Sequence, residues 1–285
     1  MGEARAVRRS QIQRSWVLTI PEQADWLAVT EEDWLLKVVI QRPNKLNAMT
    51  VDMVERMVDA VRRFEAEPKL RVFLLTARGP YFSAGMDISG GRPTYDGSSL
   101  EARRDYRNIP IQRLGDLIET VEKPVVVAHQ GPCLGGSLEI SLCCDFRLAS
   151  SAATYGLPEI RIGVLPGSGG TSRLTRMAGP HWTRWLALAG ETVDAERARA
   201  IGFVHDVYPA EEFDARVQAF CEKLNALPPE AVAVSKLAIE LATDLERGQA
   251  RNVERLANSI LFVGKERQER VAAFLNRKKP SEEKS

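Results

Sequence analysis

The residues of this chain best suited to chemistry lie in the stretch 131–174, GPCLGGSLEISLCCDFRLASSAATYGLPEIRIGVLPGSGGTSRL, which holds two glycine-rich turns and two glutamates. Gly135 and Gly136 open an apolar run that reads as a helix from Leu138 to Phe146. The first backbone N–H groups of such a run have no intrahelical partner and sit at the positive end of the helix dipole, a setting that suits developing negative charge. Glu139 falls inside that run, and Glu159 follows Pro158 where a short strand-like segment, Ala153 to Gly156, gives out. Two carboxylates near an anion-stabilising turn point to acid/base chemistry on a carbonyl compound. A second small-residue turn, Phe82-Ser83-Ala84-Gly85-Met86-Asp87-Ile88, follows the strand-like run Val72 to Thr76 and exposes further N–H groups.

Each feature alone has an ordinary explanation. A glutamate in the first turn of a helix usually complements the dipole, a carboxylate after a proline is usually a solvated loop residue, and glycine turns occur wherever a chain reverses tightly. Asp87 reads as a turn cap, Ser83 and Ser137 as small packing residues, and Cys143 and Cys144 as inert core thiols. His129, Gln130 and His181 carry no motif.

The surrounding elements alternate strand and helix from Trp26 onward. Trp26 to Thr30 and Trp34 to Ile40 read as a hairpin around Glu31-Glu32-Asp33, ended by Arg42-Pro43. Thr50 is the expected N-cap of a helix whose stripe is Met53, Met57, Val58, Val61 and Phe64. Val72 to Thr76, Val125 to Ala128 and Phe146 to Ala149 are apolar runs of buried-strand type. The polar loop 90–108 precedes a helical stripe at Ile111, Leu114, Leu117, Ile118 and Val121 and makes a plausible substrate wall. Beyond Gly170 the pattern is helical apart from Val204 to Tyr208, with Val193 to Ile201 stopped by Gly202 and further stripes at 213–227, 231–246 and 253–263. These patterns predict an α/β core with a helical cap. They also predict a division into an N-terminal extension 1–25, a core 26–208 and a helical region 209–285, with a lysine-rich end expected to fray.

Composition excludes some classes of function. At 285 residues and 44% hydrophobic the chain can bury a sizeable core. Its 39 Lys and Arg nearly balance 38 Asp and Glu, so no global field draws it to nucleic acid or an anionic membrane. Four cysteines form no CxxC pair and three histidines are scattered, which predicts no metal site and a reducing, cytoplasmic setting. Arg5, Arg8, Arg9 and Arg14 faintly resemble a transit peptide but flank no apolar signal core.

Taken in order, the motifs resemble those of the enoyl-CoA hydratase/isomerase, or crotonase, family. They are RPNKLNAMT at 42–50, FSAGMDIS at 82–89, CLGGSLEISLCCD at 133–145 and YGLPEIRIGVLPGSGGTSRL at 155–174, with a looser match in AAFLNRKKP at 272–280. The resemblance implies a crotonase-like spiral of β-β-α turns with a helical C-terminal region that builds homotrimers or dimers of trimers. It also implies an acyl-CoA substrate, with coenzyme A arriving as part of that substrate and no permanently bound cofactor.

Carried over residue by residue, the resemblance makes the backbone amides of Met86 and Gly136 the donors that stabilise a thioester enolate, each worth roughly 3–4 kcal/mol in comparable sites. It makes Glu139 and Glu159 the pair that holds the reacting water, with Glu139 the principal base and Glu159 the group delivering the α proton. Gly167 matches a position whose N–H also contacts the water, where a dienoyl isomerase would carry an acid. Lys45 and Leu46 match the loop beside the CoA adenine and phosphates, and Ala84, Asp87, Ile88 and Ser89 belong to the segment under the pantetheine arm. The expected reaction is syn addition of water to a trans-2-enoyl-CoA. The alternatives are another reaction of the family (isomerisation, aromatic hydratase-lyase cleavage or C–C hydrolysis) and a non-catalytic binding protein such as an RNA-binding relative. Against that last reading, the helix from Thr50 to Phe64 carries mixed charge rather than a lysine stripe.

Overall fold

The structure, a computed structural model, describes residues 26–89, 100 and 109–277. The N-terminal extension, nearly all of the 90–108 loop and the tail from Lys278, on which expectations were placed above, lie outside the described residues.

Strands β1 (Leu27–Glu32) and β2 (Leu35–Ile40) pair antiparallel, Leu27 opposite Ile40. Glu31 and Glu32, expected in the turn, belong to β1. The chain reverses over Asp33 and Trp34, with Asp33 in the left-handed region at φ 48°, which an aspartate tolerates. Helix α1 (Val51–Ala66) starts where expected, the Thr50 hydroxyl accepting from the Met53 N–H at 3.2 Å.

Strands β3 (Val72–Ala77), β4 (Val125–His129), β6 (Phe146–Ser150) and β9 (Asp206–Tyr208) add in parallel, giving a six-stranded sheet in the order β1-β2-β3-β4-β6-β9. The alternation of strand side chains divides the core. Leu36, Val38, Ile40, Phe73, Leu75, Val125 and Val127 face α1, α2 (Pro110–Thr120) and α3 (Gly136–Cys143). Leu35, Val72, Leu74, Val126 and Leu148 face the opposite way, onto Phe213, Val217, Cys221 and Leu224 of α6 (Phe213–Asn225). Covered on both faces, these strands read as continuous apolar runs rather than alternating ones.

A second layer carries the site. Strands β5 (Cys133–Leu134), β7 (Thr154–Gly156) and β8 (Thr192–Asp194) form a three-stranded sheet, and single bridges join Ser83 to Cys133 and Met49 to Met86. The helix expected over Val193 to Ile201 is split. Thr192 to Asp194 pair with β7, and the Asp194 carboxylate then caps α5 (Ala195–Ala200) by accepting from Arg197 N–H at 2.7 Å. The helix expected to reach Phe146 ends at Cys143, because the Asp145 N–H bonds Val125 O and Phe146 joins the main sheet opposite Val126.

After α4 (Gly170–Thr183) and β9, the remaining elements are α6, α7 (Pro229–Asp244), α8 (Arg247–Val263) and α9 (Lys265–Arg277). Helix α7 is pinned to the core by Lys236. Its buried ammonium donates to Ile118 O at 3.0 Å and pairs with Asp145 at 2.9 Å.

Candidate active site

Two turns lie edge to edge at the start of α3, and only glycine permits it. Gly85 has φ +98°, and a Cβ there would stand 2.9 Å from Leu134 O and 3.1 Å from Gly136 N. Gly135 has φ +57°, and a Cβ there would stand 3.1 Å from Glu159 Oε1. The Met86 N–H lies 3.6 Å from where a Gly136 Cβ would be, so both amides belong to one small region of the wall. Among the described residues neither amide donates to a protein acceptor. Ser137 fastens the turns together, its Oγ 2.9 Å from Ser83 O and accepting from the Leu134 N–H at 3.1 Å.

All eight residues of α3 are buried, which explains an apolar run without helical periodicity. Glu139 is therefore an acid inside the core, 5% exposed. Its Oε1 accepts from the backbone N–H groups of Ser168 at 2.7 Å and Gly170 at 3.0 Å. Neither donor was legible in the sequence, although the LPGSGG turn was the available signal. The turn is held from behind by Arg173, whose guanidinium donates to Ser168 O at 2.9 Å and grips both carboxylate oxygens of Glu119. That pair spans 54 positions and leaves no local pattern.

Glu159 sits in a 3-10 turn (Pro158–Ile162) that Pro158 starts and Gly163, at φ 78°, ends. Its Oε2 is buried with no hydrogen-bond partner among the described residues. Burial lifts its pKa from 4.5 to about 7, opposed by a bond from its own backbone amide and reinforced by the nearby charge of Glu139. It can therefore hold or release a proton near neutrality.

Both glutamates open into one cavity of about 1060 Å³. Of the residues singled out from the sequence, Met86, Gly136, Glu139, Glu159, Gly167, Lys45, Ala84, Asp87, Ile88 and Ser89 all line it. Leu46 does not. Its backbone is left-handed at φ 52°, its side chain is 45% exposed, and its carbonyl accepts from the Ala84 N–H at 2.9 Å, so its place is to fix the turn beneath the cavity. Asp87 is committed to structure. It bonds Ser89 Oγ at 2.5 Å and the Arg42 guanidinium at 2.6 Å, and these bonds hold its carboxyl down at about 2. Ile109, Ile111, Ile162, Val164 and Leu165 complete an apolar wall, and exposed Lys45 and Arg161 bring positive charge to it. Among the described residues no cluster of His, Cys, Asp and Glu could hold a metal ion, and no helix is long and apolar enough to cross a membrane.

Two carboxylates opening into one cavity beside two unengaged amides define the site of an acid/base enzyme with a corner suited to developing negative charge. The enoyl-CoA hydratase/isomerase family model matches residues 30–284. A crotonyl-CoA hydratase of Syntrophomonas wolfei is 34% identical over 256 residues, 89% of this chain and 96% of that protein. A short-chain-enoyl-CoA hydratase of Clostridium acetobutylicum is 32% identical over 243 residues, 85% of this chain and 91% of the relative. The crystal structure of an enoyl-CoA hydratase from Bacillus anthracis superposes with a TM-score of 0.80 at 27% identity, covering 90% of this chain and 98% of that one. The chain belongs to the enoyl-CoA hydratase/isomerase family, and its fold is the crotonase fold.

Proposed function

We propose that this protein is an enoyl-CoA hydratase that adds water across the α,β double bond of a trans-2-enoyl-CoA. The observation that carries this reading is the convergence of Glu139 and Glu159 on one cavity, Glu159 tuned to titrate near pH 7, beside the free amides of Met86 and Gly136. In the reaction those amides receive the thioester oxygen as the enolate forms. Glu139, oriented by Ser168 and Gly170, takes a proton from the water while its oxygen bonds to the β carbon. Glu159 delivers a proton to the α carbon, and Gly167 contributes a further N–H toward the water. Lys45 supplies a point charge for the CoA phosphates, and Ala84, Ile88 and Ser89 lie under the pantetheine arm.

Hydration is favoured over dienoyl isomerisation because the third acid of the wall, Asp87, is occupied by Arg42 and Ser89, and Gly167 lines the cavity at the position where, by the resemblance, a dienoyl isomerase would carry an acid. Incubating the protein with crotonyl-CoA and a panel of longer and aromatic enoyl-CoA thioesters tests the reading. The 3-hydroxyacyl-CoA is the expected product, and an isomerised or cleaved product in its place overturns it.

The same reading divides the chain into a catalytic core to Tyr208 and a helical region that assembles homotrimers or dimers of trimers. Supporting it are Leu237, Ile239, Leu241, Leu256, Ile260, Phe262 and Val263, all exposed on α7 and α8, and light scattering measures the assembly directly. Four buried free thiols fit a reducing cytoplasm.

A further inference from the structure

His129 is fully buried at the end of β4 and is not one of the residues lining the cavity. Its Nε2 lies 2.9 Å from Ser141 Oγ, its Nδ1 lies 3.1 Å from the Tyr155 hydroxyl, and its ring meets Phe82 edge to face with centroids 4.7 Å apart. Each neighbour belongs to a different piece of the site. Ser141 is on α3, the helix of Gly136 and Glu139. Tyr155 is on β7, which runs through buried Leu157 into the Glu159 turn. Phe82 opens the turn that carries the Met86 amide.

We propose that His129 is a positioning residue that sets the separation between the two glutamates and the two amide donors by tying α3, β7 and the Phe82 turn to one ring. A neutral imidazole has one donor and one acceptor nitrogen, and serine and tyrosine hydroxyls each take either role, so both bonds form at once. Burial and the positive charge of Arg147 keep the ring neutral, with a pKa of about 3. The tie is stiff because Tyr155 is wedged in turn against Phe203, edge to face at 5.3 Å. Loss of the ring's two bonds leaves both hydroxyls buried and unpaired, and each relaxes by shifting its own element. The proposal rests on reading Glu139, Glu159, Met86 and Gly136 as the groups that meet the substrate.

The test compares His129→Phe and His129→Gln with the parent enzyme in crotonyl-CoA hydration, with kcat expressed per folded, active-site-titrated molecule. His129→Phe keeps a ring against Phe82 and loses both hydrogen bonds. Its kcat is expected to fall about 10-fold or more with KM changed by less than about 2-fold, since small misplacements of reacting groups act on kcat. His129→Gln, which keeps an amide to reach Ser141, is expected to recover part of that loss. A kcat per folded molecule equal to the parent's in His129→Phe overturns the proposal, whatever happens to the melting temperature. Where His129→Phe does not fold, Tyr155→Phe and Ser141→Ala each remove one bond and leave the ring in place, and parental kcat in both overturns it equally. Glu139→Gln, run alongside, separates the two readings. If it too keeps parental activity, the glutamate assignment has failed; if it is inactive while His129→Phe is unimpaired, the tie alone has failed.

Discussion

The backbone N–H of Ser168 donates to Oε1 of Glu139 at 2.7 Å, joining a turn before α4 to an acid in the middle of α3. With the second bond from Gly170 it fixes one oxygen of the carboxylate by groups that have no rotamers to lose. The sequence-stretch LPGSGG therefore serves the site through its main chain as well as by lining the cavity at Gly167.

Gly170→Ala isolates that contact. A Cβ at position 170 would stand 2.8 Å from Glu139 Cγ and 3.0 Å from Pro166 Cβ, while the residue's backbone is helical and accepts alanine. Glu139 must move aside. The expected outcome is a folded protein with kcat lowered roughly 10- to 100-fold, measured by steady-state kinetics beside a melting curve.

Glu139→Gln and Glu159→Gln each remove one acid/base group and preserve shape. Each is expected to lower kcat by about 10²- to 10⁴-fold with little change in KM. In the proposed mechanism the two act on the same water, so the double variant is expected to lose far less than the product of the single losses. Additive losses argue that the glutamates act independently.

In the proposed mechanism Glu159 sets the pH dependence. Acting as proton donor to the α carbon, it must be protonated in the free enzyme, so kcat/KM for hydration is expected to fall as pH rises through about 7, the value to which burial lifts this carboxyl. The stability linkage has the matching sign. Because the folded pKa lies above the ordinary 4.5, the contribution of this group is present in full below that value and is lost as pH rises through about 7. Glu159→Gln is accordingly expected to gain stability relative to the parent between about pH 5 and about pH 8, followed by the difference in melting temperature.

Arg173→Met cuts the turn loose from Glu119 and from Ser168 O. Methionine fills much of the same space, so folding is expected to persist while kcat falls about 10-fold as Ser168 loses its register with Glu139. Full activity in a folded Arg173→Met protein would show that the turn holds its shape unaided.

Arg42→Ala leaves the Asp87 carboxylate without its buried guanidinium partner, whose side chain is 8% exposed. Removing one member of such a pair typically costs about 3 kcal/mol. The expected result is a lower denaturation midpoint together with a weakened apparent affinity for acyl-CoA, since the Asp87 turn also forms the cavity wall.

The chain order of strands and helices was legible because the signals are local. Thr50 caps α1 through its own hydroxyl, Val72 to Thr76 is apolar on both faces of a covered strand, and Gly85 and Gly135 supply the positive φ that the two turns at the start of α3 require. The glutamates and the cavity-lining turns could be named because their motifs are contiguous. Strands β5 and β8 could not, since two or three residues such as Cys133–Leu134 carry no period and gain strand geometry only from the neighbours they meet. The same holds for what tunes the site. Ser168 beside Glu139, Arg173 on Glu119 and His129 between Ser141 and Tyr155 are contacts between residues remote in sequence. The pKa of Glu159 near 7 is likewise a product of burial. Residue types fixed by local steric and hydrogen-bonding needs were determined by the sequence itself. Distances, burial and charge environment came into being only when the layers packed, because they depend on groups that no local pattern brings together.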